Sequence, residues 1–435
     1  MNNQNRYYTI FPKVVPANRQ SLIGIRSIFP HRAFKKDGQY EVICYPVDYC
    51  KNGSKRDKSR ELHKYVEDGT LYINGYFEGE QEHIIYINEK TQDGKREIGI
   101  FNVYSLEEDL YGRKPYKGDL HIHSFYSDGL ESPAYVAASC RKIGLDFMAV
   151  TDHELYSPSV EAQQAFEGVN IDLKIFRGEE VHPPENPVHI INFGGSFSVN
   201  DLFKKDERAY REEVHEIERA IAGEVPEETE RYQLASSIWC FDKIRQGGGL
   251  GIFCHPFWRI HDGYYISTLL TEYMYEKQPF DALELIGGYY KNQAESNILQ
   301  VASYQEQRAK GRKIPVVGVS DAHGCDTGEL FGWYYTIVFS PTPEYEDIRD
   351  SIKSCYSVAV ESVPGERKMA HGELRLVKYA LFLLREVLPE HDIICYNEGY
   401  WMTEYLKGNR KAKAHLELLK GGVDKYYSQC WGQEI

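Results

Sequence analysis

GDLHIHS, residues 118–124, is the stretch on which the fold turns. An apolar run carries His121 and His123 two residues apart, and on a β-strand side chains two apart leave the same face. Two imidazoles on one face can share one cation. Reading outward, the pattern repeats. Apolar stretches run into ionisable groups: LDFMAVT into Asp152 and His153, LKIFRGEE into Glu179 and Glu180, GLGIFCH into His255, and IPVVGVS into Asp321 and His323. VHIINFG instead opens with His189, which must approach from a loop or from a strand of opposite sense. With DALELIG these make seven strand candidates between Lys117 and about residue 320.

Helix-like segments such as SPAYVAASCRKIG and ESNILQVASYQEQRAKG lie between several of these strands. Repeated strand–helix units imply an α/β fold with a parallel sheet and helices outside it, and an enclosed barrel is one way to close such a sheet. Active groups of strand–helix barrels sit at the carboxyl ends of the strands, so most of these side chains are expected to converge on one mouth. Asn200 to Gln246 breaks the rhythm and is read as a charged helical insertion or lid.

The first segment, residues 1–115, carries YEVICYPV, GTLYINGYF, EHIIYINE and EIGIFNVYS, separated by DG, NGS and KTQDGK. Short alternating runs with polar turns predict an antiparallel β-sandwich without a catalytic cluster. Residues 116–365 form the expected barrel, with the insertion near 200–246. Residues 366–435 form a helical extension, because Leu376, Tyr379, Ala380, Leu383, Leu384 and Val387 recur at helical spacing; Pro389 ends that helix.

At 435 residues and 42% hydrophobic, the chain can bury a large core. Its formal charge of −14 argues against broad contact with long nucleic acid, which requires a basic face. The longest apolar run, Tyr379 to Leu384, is far short of a membrane span, so no membrane partner is expected. The amino terminus lacks a secretory pattern, and nine cysteines without a C-x-x-C pair suggest free thiols in the cytoplasm. Cys44 and Cys50 are the pair that could bridge in a secreted protein.

The DLHIHS, TDHE, CHP and SDAH motifs, in this order from about Lys117 to Glu361, resemble the PHP family, named for its polymerase and histidinol phosphatase members. The resemblance implies a distorted seven-stranded barrel of PHP type holding two or three divalent ions. It assigns His121, His123, Glu180 and Asp321 to the first ion. Glu180 bridges to a second, completed by His189 and His255, and Asp128, His153 and His323 form a third group. The family's G-x-E favours Glu180 over Glu179. Zinc, manganese and iron all suit such mixed ligands.

The implied reaction is phosphoester hydrolysis by a metal-bound hydroxide, on a small phosphorylated metabolite or a nucleotide. Trimming of short oligonucleotides is an alternative, and so is a non-catalytic, metal-stabilised binding module that uses the amino-terminal sandwich. Arg259 is the candidate for pairing phosphate oxygens, and His261 the candidate general acid. Glu284 is read as a structural hydrogen-bonding group, and Trp258, Tyr289 and Tyr290 as stacking surfaces or packing. His182, His215 and His371 are read as ordinary histidines. Oligomeric state is left open.

Overall fold

The computed structural model describes residues 7–48, 59–92 and 94–433. The chain divides into two compact units: Met1–Lys114 with Lys378–His391 and Gly421–Ile435, and Pro115–Val377 with Asp392–Lys420.

Alternation of period two builds the first unit. In Tyr40–Pro46 every second side chain is buried and those between are half-buried, the signature of a strand with one face on a core. Four strands, Tyr8–Phe11, Arg19–Ser27, Thr70–Phe77 and His63–Glu67, form one sheet in that order. Val14–Pro16, Gly94–Leu106, Gln81–Thr91, Tyr40–Pro46 and Arg60–Glu61 form a second. Ile23, Ile25 and Ile73 of the first share a core with Val42, Ile85 and Val103 of the second. Val14–Pro16 pairs parallel with Tyr104–Leu106, a departure from the antiparallel pairing of its neighbours. Cys44 is a buried free thiol, and Cys50 lies outside the described residues.

The second unit is mixed α/β with its main strands in two sheets. One runs Lys174–Phe176, Phe147–Ala149, Lys114–Asp119, Tyr334–Ser340, Ser357–Glu361 and Met369–Gly372. The other runs Gly178–Val181, Ile190–Phe193, Leu250–Phe253, Ala282–Gly287 and Val316–Val319. The expected single closed barrel is therefore corrected, since no continuous ladder closes among the described residues. The stretch LKIFRGEE shows why. It breaks at Arg177, with Phe176 paired to one sheet and Gly178 to the other. A Cβ at Gly178 would come within 2.9 Å of Thr151 Cγ2, so any side chain there would force a shift. The sheets touch instead through isolated bridges, Ile122 to Ala322 and His153 to Glu180.

Ile190–Phe193 runs antiparallel to both of its neighbours. That settles the direction of His189: its strand is reversed, so its start lies beside the carboxyl ends of the adjoining strands. Helices Pro133–Lys142 and Ala294–Ala309 occupy the expected connections, the former capped by Ser132, which accepts from Tyr135 N. The insertion folds as Asn200–Lys205, Glu207–Ile221 and Glu228–Gln246.

The carboxy-terminal segment differs from the single extension expected from 366. Met369–Gly372 completes a sheet against Ser357–Glu361, and the helices that follow are divided between the two units. Amphipathic spacing reports that a helix face is covered but not by what. Pro389 both follows the helix Leu374–Glu386 and sits in the first turn of Leu388–Leu406, where its missing N–H leaves no bond unmade.

Candidate metal centre

Backbone pairing carries the strand ends past their ladders and into the site. His123 N donates to Ala322 O at 2.9 Å, Asp321 N to His121 O at 2.9 Å, and Thr151 N to Ile122 O at 2.8 Å. Beneath them the buried Asp119 carboxylate accepts from Ser320 N at 3.1 Å and His121 N at 3.3 Å, which ties together the two segments that bear His121, His123, Asp321 and His323. Burial raises Asp119 to about 7, against the hydrogen bonds it accepts. Asp321 and His255 are held at φ 50 and 28. For residues with a Cβ such backbone costs on the order of 1–3 kcal/mol and persists where the surroundings enforce it.

Three groups of donor atoms result. His121 Nε2, His123 Nε2, Glu180 Oε2 and Asp321 Oδ1 lie 2.9–3.6 Å from one another where measured. Glu180 Oε1 faces His189 Nδ1 at 2.9 Å and His255 Nε2 at 3.6 Å. Asp128 Oδ1 stands 3.3 Å from both His153 Nε2 and His323 Nε2. All nine expected ligands are thus brought together, in the three groups expected of them. Donors on one tetrahedral ion, at bonds of about 2.0–2.1 Å, are spaced by ~3.4 Å, which these separations approach.

The electrostatics point the same way. Burial opposes ionisation of Glu180, yet His121 and His189 outweigh it and hold the carboxylate well below its ordinary range. Burial lowers His189 to about 4 despite Glu180, leaving a neutral imidazole with a lone pair to give. Both Glu180 oxygens are buried without a hydrogen-bond partner, as are His255 Nδ1 and Glu284 Oε1. An unpaired buried carboxylate among imidazoles is expensive, and divalent cations are the group that this donor set fits.

A cavity of about 130 Å³ opens on the cluster. It is lined by seven of the nine residues, His121 and His123 lying behind them, with Trp258, Gly288 and Tyr289 completing the wall. A larger cavity of about 640 Å³ lies in the first unit, and no histidine lines it, so volume does not locate the chemistry.

Glu179 points away from the cluster and is consumed by Asn192, Ser198, Val199 N and Asn200 at 2.6–3.0 Å, as alternation along a strand requires. Glu284 is fully buried, with Oε2 3.4 Å from His121 Nδ1, the second nitrogen of a candidate ligand. Asp152 accepts from Ser124 and Ser127, backbone and hydroxyl alike, at 2.6–3.3 Å, fixing the loop that presents Asp128. The ring of Trp258 lies 5.5 Å from that of His255. The buried Tyr289 hydroxyl donates to Gln300 Oε1 at 2.8 Å, while Tyr290 is exposed outside the cavity.

Arg259 and His261 are not brought to the cavity. After His255 the chain turns outward into the hairpin Arg259–Ile260 and Gly263–Tyr264, where both side chains are exposed. Sequence reasoning also passed over His182. Its Nε2 lies 3.5 Å from Glu180 Oε2, and the signal was present: it follows Glu180 by two on extended backbone.

No family model matches this chain. It is 45% identical over 53 residues to the DNA polymerase/3'-5' exonuclease PolX of Bacillus subtilis, 12% of this chain and 9% of that protein. It is 24% identical over 193 residues to the uncharacterized protein MJ1587 of Methanocaldococcus jannaschii, 42% of this chain and 88% of that one. A solved two-domain protein from Bacteroides vulgatus, containing a predicted PHP-like metal-dependent phosphoesterase, aligns at TM-score 0.39 and 18% identity over 57% of this chain and 65% of the other. An amidohydrolase from Chromobacterium violaceum, solved with sulfate and no metal, aligns at TM-score 0.30 and 17% identity over 48% and 87%. The chain thus spans less than two thirds of the PolX and Bacteroides proteins. With its DLHIHS, TDHE, CHP and SDAH residues gathered in one cluster, the family that this chain resembles is that of the PHP-like metal-dependent phosphoesterases.

Proposed function

We propose that this chain is a metal-dependent phosphoesterase acting on a small phosphorylated metabolite or nucleotide. The observation that carries the reading is Glu180, a fully buried carboxylate ringed by imidazole nitrogens at 2.6–3.6 Å. His121, His123, Glu180 and Asp321 would hold one divalent ion, Glu180, His189 and His255 a second, and Asp128, His153 and His323 a third. Two or three ions of zinc, manganese or iron fit these ligands. When bound they supply Lewis-acid charge and water activation.

The chain's own residues supply the rest. No lysine or arginine lines the cavity, so a phosphate there depends on the ions for its countercharge. Glu284 orients His121, Asp152 holds the Asp128 loop, and Trp258 walls the cavity beside His255. Trimming of short oligonucleotide ends is the second reading, favoured by the local match to PolX. No helix among the described residues is long and apolar enough to cross a membrane. The scattered free thiols fit the cytoplasm, which is the proposed location.

The test is p-nitrophenyl phosphate turnover with and without manganese or zinc. Turnover is expected only with metal, and to fall more than ~100-fold in His123→Ala. A folded, metal-loaded chain inactive on this ester and on a panel of phosphorylated metabolites would reject the reading.

A further inference from the structure

A tenth donor stands among the nine. The register Glu180–Ile191 and Val181–Ile190, continued by one pair, sets His182 opposite His189. The two rings accordingly stack at 4.0 Å and 22°. His182 Nε2 lies 3.1 Å from His153 Nδ1 and 3.5 Å from Glu180 Oε2, and the latter two atoms are 2.6 Å apart. Two of its edges match those of the His121–His123–Glu180 triangle, at 3.1 and 3.4–3.6 Å, while the third, His153 to Glu180, is at hydrogen-bonding distance. Of its three residues, His182 lines a groove of about 440 Å³ that Glu154, Asn186 and Tyr265 also bound, and His153 and Glu180 line the cavity of the cluster.

His153 governs its use. Its Nδ1 faces Glu180 and His182, while its Nε2 faces Asp128 at 3.3 Å in the group that His323 completes. A neutral imidazole has one lone pair and one N–H. His153 can therefore serve one triangle at a time. With the lone pair on Nε2, its Nδ1–H donates to Glu180; with the lone pair on Nδ1, the Asp128 group loses a donor.

We propose that His182, Glu180 and His153 form an alternative seat for the cation otherwise held by Asp128, His153 and His323, the tautomer of His153 selecting between them. This rests on the reading of the cluster as a divalent-metal centre.

The test compares the full chain with His182→Ala, His323→Ala and the double variant. Each is loaded with manganese, desalted and analysed for metal per chain by plasma mass spectrometry. Each single variant should retain the wild-type ion count, because the remaining seat takes the ion, and the double variant should hold one ion fewer. A shortfall in either single variant, or a wild-type count in the double, overturns the proposal. A wild-type chain that takes up no ion overturns the metal reading itself. Should the alanine variants lose their circular dichroism spectrum, His182→Gln, Asp128→Asn and their combination are read in the same way.

Discussion

Glu180 and His189 meet across an antiparallel strand pair, with 2.9 Å between Glu180 Oε1 and His189 Nδ1. The reversed strand is what allows a histidine at a strand start to join side chains at strand ends. It also makes Glu180 the hinge of the cluster, one oxygen turned to His189 and His255 and the other to His121, His123 and His153.

Glu180→Gln preserves the volume of that side chain and removes its charge. Without the carboxylate, His189 and His255 lose the anion they would share a cation with and His121 and His123 keep only Asp321, so metal affinity should fall by more than ~100-fold. Isothermal titration with manganese reads this directly. Unchanged affinity would show that Glu180 is a structural acid only.

Glu284→Gln tests the orientation of His121. Carboxylates behind a ligating histidine set its ring and its basicity, and their loss costs roughly 10–100-fold in metal affinity or activity. The expected outcome is a loss in that range with an unchanged unfolding midpoint in the metal-free chain. A large stability loss with unchanged metal affinity would make Glu284 a packing residue instead.

Much of the site was legible because metal ligation imposes rules on sequence. His121 and His123 must be two apart to share a strand face, whereas the choice of Glu180 over Glu179 came from the G-x-E resemblance. His182 obeys the two-apart rule too, but its meaning depends on the cross-strand register with His189, which no local pattern contains. Arg259 and His261 failed for a related reason, since nearness in sequence to His255 says nothing about the outward turn that follows it. The strand segments were likewise legible, whereas the split at Arg177 between two sheets is a matter of which strands pair, which no local pattern contains.

Arg141 is fully buried and holds Asp146 Oδ1 at 2.9 Å and Glu398 Oε2 at 2.7 Å. Arg141→Met would remove the guanidinium that both buried carboxylates share, and breaking such a buried pair typically destabilises by ~3–5 kcal/mol. Urea unfolding should show a shift of that order. A change below about 1 kcal/mol would mean that water reaches both acids and replaces the guanidinium.

His83 gives a pH dependence that is independent of metal. Burial, aided by Arg60, pushes this imidazole down to about 4, with its Nε2 2.8 Å from Ser105 Oγ. Between pH 6.5 and 4 the unfolded chain binds a proton that the folded chain refuses, so stability is intact above 6.5 and falls as pH drops toward 4. The contribution is ~3 kcal/mol. His83→Asn should lose less stability than the wild type between pH 7 and pH 4.5 by an amount approaching that figure. Parallel pH profiles would contradict it.

The most direct test of the central claim is anomalous scattering from crystals of the full chain grown with manganese or zinc. Anomalous peaks are expected among the imidazole nitrogens of His121, His123, His189 and His255 and the carboxylates of Glu180 and Asp321. Crystals of the metal-soaked, folded chain with no anomalous density there, or with these side chains turned away from one another, would contradict it.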